Sequence, residues 1–522
     1  MKTLIIVLIS SGVMSSCSKK FLTSVPQDQL SDGTFWKTQN DADLALTGLY
    51  SNWESWTRLG WMDMMSDLSY SHFATPFQVM GNGQMNASSP GKNFFSYFQI
   101  NKYNNFLQKI EGVDMDPAKK EVYKAEARFL RAYEYFIKTE CYGDVPLVTK
   151  TFDDPSKAKI AANPKADVVA FILSELDTIA PILPVQTMRQ SNGHATSGAA
   201  LTLKAKLELY EGMFPQAMAD AKKVMDMGIY QLYPDFRGLF LIDNEAANNE
   251  SVMEIEFLTN TYPNEIWLDV LPQSEGGYGV IDAVQNMVNN YEMANGKTID
   301  DPTSGYDPNQ PFKNRDPRMD MSVRHAGTFF NNSYFDPFTP TSPDYHGNAN
   351  SNASGLNVLK FAKVVSSDLS GNGGQNFMVL RYADVLLMYA EAAIEAGQIT
   401  PDVYAAIDAV RQRAGMPKTD QTVYNNQTKL RELVRRERGA ELVFEGWRYF
   451  DDKRWDIGPQ VLNGPLYGSW LGTMNDQTGV ITLDGTQILL ENRVFHPERK
   501  YLLPIPQSEL DANPNIKQNP GY

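Results

Sequence analysis

The sequence predicts a mainly α-helical protein in which helix pairs stack into a superhelix, broken by long, loop-rich and aromatic insertions. Three observations carry this expectation. Apolar residues recur at helical spacing around Tyr123 to Ile137, Thr196 to Met225 and Tyr382 to Val410. Gly212, Gly228 and Gly397 stand where those helices should turn or stop. The stretches between them, about 56–104 and 230–375, are rich in Asn, Gly, Pro, Ser and aromatics, and long segments of that kind in compact domains are often functional.

The N-terminus reads as a bacterial export signal. Met1-Lys2 is a short basic start, Leu4 to Ile9 an apolar run, and Ser10 to Ser16 a stretch of small residues ending at Cys17. The apolar run is far shorter than the roughly 20 residues of a membrane-spanning helix. The expectation is a lipoprotein signal peptide over 1–16, lipidation at Cys17, and a tether over 17–30. A folded domain should fill 31–522.

Within that domain the helical repeats are expected at about 35–55, 105–228 and 380–455. Tyr123, Ala127, Leu130, Tyr133 and Ile137 form one helical face, closed by Gly143 and Pro146. A further helix is expected near 166–180. Ala200, Leu203, Leu207 and Tyr210 then pair with Ala217, Ala221, Val224 and Met225, in a unit resembling a tetratricopeptide repeat. Tyr382 to Ala393 and Val403 to Val410 repeat the plan. Lys429 to Phe450 reads as one long charged helix with Leu433, Val434, Ala440, Phe444 and Trp447 inward. The tail, 495–522, is too rich in proline for a continuous helix and should pack as an extended strap.

Composition excludes several functions. A net charge of −15 without a long basic run argues against nucleic acid, whose phosphates need clustered Lys and Arg. Of the two cysteines, a lipidated Cys17 leaves Cys141 alone, as a small core residue. The five histidines show no zinc spacing, and no nucleophile elbow is present. Gly276 to Gly279 lacks the lysine of a phosphate loop, and Asp300, Asp301 and Asp307 read as turn formers. No metal or cofactor is expected.

Two constellations remain. Glu437, Glu441 and Glu445 share a helical face, the spacing a lipid-anchored glycoside hydrolase could use. The surrounding Arg435, Arg436, Arg438, Arg448 and Lys453 favour structural ion pairs instead. The other constellation is aromatic. Trp53, Trp56, Trp61, Phe73 and Phe77 lie in the first insertion, and Trp267, Tyr278, Phe329, Phe330, Tyr334 and Tyr345 in the second. Sugar rings pack apolar faces on aromatic planes, and placed polar groups fix their hydroxyls.

Five long stretches in order resemble the SusD/RagB family of outer-membrane nutrient-binding lipoproteins. They are Ala125 to Val148, Arg381 to Ala392, Ala409 to Pro417, Glu437 to Trp455 and the tail from Tyr501, with Phe21-Leu22 after the cysteine. The resemblance implies a tetratricopeptide-like scaffold displayed at the cell surface. It also implies a SusC-like TonB-dependent transporter as partner, and an oligosaccharide, or a peptide, as non-catalytically bound ligand. A site where the two insertions meet is implied, with Trp61, Phe77, Trp267, Tyr278, Phe329 and Tyr334 as ligand contacts and Asn101 as polar partner. A structural adaptor that binds only another protein is the remaining reading.

Overall fold

The computed structural model describes residues 35–366 and 370–522. The signal peptide, Cys17 and the tether over 17–30 lie outside the described residues. The longer helices are α1 (Gln39–Tyr50), α2 (Phe98–Lys109), α3 (Pro117–Tyr142), α4 (Lys165–Ile179), α5 (Ser197–Tyr210), α6 (Phe214–Asp226), α7 (Tyr382–Glu395), α8 (Pro401–Arg413), α9 (Gln427–Glu441) and α10 (Arg448–Arg454). Local chemistry sets their ends. Thr38 and Asp41 form a capping box on α1, Asp116 caps α3 ahead of Pro117, and Asn426 caps α9.

From α2 to α8 each helix packs on the next, and α9 packs on both α7 and α8. The array is continuous in space although the chain is not. It leaves after α6 and returns through an antiparallel ladder of β1 (Ser251–Ile255) with β2 (Phe377–Arg381), which runs straight into α7. This neck lets α6 dock on α7 as if the intervening residues were a short turn. The helix-pair expectation is met, down to the positive φ of Gly212, Gly228 and Gly397.

The long helix expected over Lys429 to Phe450 is a correction. Helix α9 ends at Glu441, and Phe444 and Gly446 take positive φ of 65° and 86° before α10 begins. Glu445 turns inward to Lys360 and Arg381, and a Cβ on Gly446 would stand 2.0 Å from the Leu59 carbonyl oxygen. Trp53 likewise falls past the end of α1 rather than within a helix. Sequence periodicity also missed an antiparallel hairpin, β3 (Gly464–Met474) with β4 (Ile481–Arg493). The tail packs as a strap with a 3-10 turn at Pro497–Arg499 and one short α-helix, Gln507–Ala512. No helix among the described residues is long and apolar enough to cross a membrane.

Candidate ligand-binding surface

The two insertions meet on a four-stranded sheet of two-residue strands, ordered Ser69–Tyr70, Asp282–Ala283, Asn357–Val358, Val323–Arg324. Residues directly opposite one another across strands share a face. Tyr70, Asp282, Asn357 and Arg324 are aligned in this way and form a buried polar row. Ala283, Val323 and Val358 belong to the apolar side. Asp282 is approached by His72 Nδ1 at 3.3 Å, and burial pushes its carboxyl up to about 6 against the pull of that histidine.

Beside the sheet, the short helix Ile266–Val270 organises the first group of aromatics. Trp56 and Trp61 donate their indole N–H groups to Asp269 Oδ2 at 2.7 and 2.9 Å. Burial raises the Asp269 carboxyl to about 7, although both indoles favour its ionised form. Trp61 is half-buried, edge-on to Phe77 at 6.3 Å. Phe77 and Trp267 are only 1% and 3% exposed, so the structure gives their ring faces to the core. Trp267 packs where Gly373 leaves room, since a Cβ there would lie 3.0 Å from its ring.

Tyr278 differs. Its N–H donates to the Leu268 carbonyl at 2.8 Å, and the Gly277 backbone presses so closely on Leu271 that a Cβ would stand 2.1 Å from its oxygen. This tight glycine loop turns the Tyr278 ring outward, 47% exposed.

The second exposed station is the hairpin Phe329–Phe330 with Ser333–Tyr334, turned by Asn331 and Asn332 at positive φ. Phe329 is 61% exposed, and its ring centroid lies 4.9 Å from that of the half-buried Tyr334. Phe330 points back. The guanidinium carbons of Arg324 and Arg237 lie 4.2 and 5.3 Å from its ring centroid, and Arg324 bonds Glu275 at 2.7 Å. Glu275 stands just before the glycine loop, so a charged bridge ties the hairpin to the Tyr278 turn. Sequence reasoning left Arg324, Arg237 and Glu275 out of the site. Arg237 and Glu275 stand far in the chain from the Phe330 and Arg324 they respectively meet, so no local spacing marks them.

Asn101 lies elsewhere, exposed on α2 at a cleft of about 490 Å³. That cleft is walled by Phe98, Phe152, Glu509 and Ile516, and none of the other six expected contacts lines it.

The glutamates are committed to structure. Arg318 reaches both Glu437 at 2.5 Å and Glu441 at 3.1 Å; Arg381 bonds Glu441 at 2.7 Å, and Arg413 bonds it as well. Burial alone would raise the Glu441 carboxyl, but Arg413, Arg381 and Arg318 hold it well below the usual range. A carboxyl kept ionised in this way has no proton to give a leaving group. Asp301 and Asp307 close turns through Thr303 and Asn309. Cys141 is buried, its thiol pushed up to about 12 by desolvation.

Comparisons with known proteins agree along nearly the whole chain. A family model described as the SusD family matches residues 242–522, and one described as starch-binding associating with outer membrane matches 48–209. A SusD-like protein of Formosa agariphila is 25% identical over 546 residues, spanning 100% of this chain and 99% of its own. The starch-binding protein SusD of Bacteroides thetaiotaomicron is 25% identical over 461 residues, spanning 81% and 77%. The solved structure of a SusD-like carbohydrate-binding protein from Bacteroides fragilis superposes with a TM-score of 0.83 at 28% identity, covering 93% of this chain and 100% of its own.

Proposed function

Because the chain belongs to the SusD family, we propose that it binds an oligosaccharide nutrient at the outer-membrane surface and delivers it, unaltered, to a SusC-like TonB-dependent transporter. The carrying observation is the pair of exposed aromatic stations, Tyr278 and Phe329 with Tyr334, joined by the Glu275–Arg324–Phe330 bridge. Rings standing out of a rigid, hydrogen-bonded base suit the apolar faces of sugars, because little conformational freedom is lost on binding. The carbohydrate- and starch-binding relatives support the same class of ligand. Trp61 is the half-buried edge of this surface, while Phe77 and Trp267 shape it from beneath. Asn101 belongs to a separate cleft. In this reading Cys17 carries the lipid anchor, and the tether over 17–30 holds the domain near the transporter mouth.

Isothermal titration against a panel of neutral glycans tests the proposal, with Tyr278→Ala and Phe329→Ala as variants. Each substitution should weaken binding about tenfold, ~1.4 kcal/mol. Unchanged affinity in both variants refutes the surface. Binding of peptides with no binding of glycans refutes the ligand class.

A further inference from the structure

The hairpin β3–β4 brings its tip, Asn475 to Val480, against the second insertion at two glycines. A Cβ on Gly327 would stand 2.3 Å from the Gly479 carbonyl oxygen, and one on Gly479 would stand 2.4 Å from Tyr334 Cε1. Backbone meets backbone and ring with no room for a side chain, and both glycines have positive φ, 83° and 67°. The hairpin tip is therefore fixed to the aromatic station at Tyr334.

Beyond the same tip opens a cleft of about 580 Å³, within the size range of small-ligand sites. One wall is residues 479–483 of the hairpin and the other is residues 309–327. Phe312 and His325 stack in it, with centroids 3.9 Å apart and planes within 7° of parallel. The His325 ring places Nδ1 2.9 Å from the Ala326 carbonyl oxygen and Nε2 3.3 Å from Asp320 Oδ1. Gln310, Lys313 and Thr482 are exposed around it. An amide, an ammonium and a hydroxyl supply donors and acceptors, and the Asp320 carboxylate stands in the same lining. Such a lining offers the half-buried His325 ring, backed by the buried Phe312, among polar groups of both charges, which suits a polyol better than an anion or an apolar chain.

We propose that this cleft is a second carbohydrate subsite, taking the part of a neutral oligosaccharide that extends past the Phe329–Tyr334 hairpin. The proposal rests on the glycan-binding reading above and adds a length requirement to it. A chain long enough to pass the hairpin tip touches both places, whereas a short one is held by the aromatic station alone.

Calorimetry with malto- and laminari-oligosaccharides of three and seven units separates the two claims. In the double variant Gln310→Ala, Lys313→Ala the heptasaccharide should lose about tenfold in affinity, with the trisaccharide unchanged. Thr482→Trp, which fills the cleft from an exposed position, should give the same length-dependent loss. Tyr334→Ala should weaken both lengths. If the cleft variants leave the heptasaccharide unaffected, or weaken both lengths equally, the subsite is wrong while the proposed function stands. If the unaltered protein binds neither length of either series, the subsite is refuted for neutral glucans, while the ligand class is decided separately by the wider glycan panel.

Discussion

Asp269 accepts two indole N–H groups on one oxygen and is buried beneath the aromatic surface, an expensive place for a charge. Its folded pKa of about 7 lies above its ordinary value of 3.8, so the folded state binds the extra proton. The stability that this proton confers is full below the unfolded pKa and is lost as pH rises through 7. Asp269→Asn keeps an acceptor for the indoles and removes the titration. The difference in unfolding free energy between the two proteins should therefore shift towards the variant by about 1 kcal/mol per pH unit as pH rises from about 4 to about 7, and level off above that. Denaturant melts at pH 5, 6, 7 and 8 measure it, and a stability difference that stays constant from pH 5 to 7 would show that Asp269 does not titrate there. Glu441 gives the opposite case, a carboxylate held ionised by arginines. Glu441→Gln leaves Arg318, Arg381 and Arg413 short of a buried counter-charge and should cost about 3–5 kcal/mol. Reducing-end assays on glycans should read the same background for both proteins. Hydrolysis by the parent that the variant lacks would restore the hydrolase reading.

The break between α9 and α10 shows what a helical pattern leaves open. Phe444 and Trp447 continue the apolar periodicity of α9, so the sequence reads as one helix. The chain is turned instead by partners from elsewhere, Lys360 and Arg381 drawing Glu445 inward and Leu59 meeting Gly446. Gly446→Ala sets a Cβ against the Leu59 oxygen at a φ of 86° and should destabilise by about 2–3 kcal/mol, read from the urea midpoint. A shift below half that value would mean the loop relaxes freely. Helices α3 and α5 to α8 were legible because each repeats apolar residues between glycine or proline stops. The β3–β4 hairpin was not, because much of both strands is exposed and no alternation marks a core face. The same distinction runs through the site. The aromatics of the insertions are visible in the sequence, whereas which of them stand out, such as Tyr278, and which are buried, such as Phe77 and Trp267, is decided by segments such as Leu268, Phe94 and Gly373.

At the scale of the molecule, the tail closes the array by returning to its beginning. Leu503 N–H donates to the Cys141 carbonyl at 2.8 Å, Asn519 bonds the Tyr142 carbonyl at 3.1 Å, and Leu503 and Ile505 are buried. Burial of each of these two side chains is worth about 1.5–3 kcal/mol, enough to hold an otherwise irregular strap in place. The C-terminal end of α3 is thus covered by residues more than three hundred positions away. Cys141 reports on that cover, because a chain made without Cys17 holds no other thiol. A thiol whose pKa stands at about 12 is almost wholly protonated at pH 8 and shielded from reagents. Removing residues 501–522 should open the end of α3, and a thiol-reactive probe should then label Cys141 at least ten times faster than in the intact chain under native conditions. The truncated protein should also melt at a lower temperature, since the buried leucine and isoleucine are gone. Equal, slow labelling in both proteins would place the protection within the helix pairs alone, and the strap would then be an attachment to the array rather than its closure.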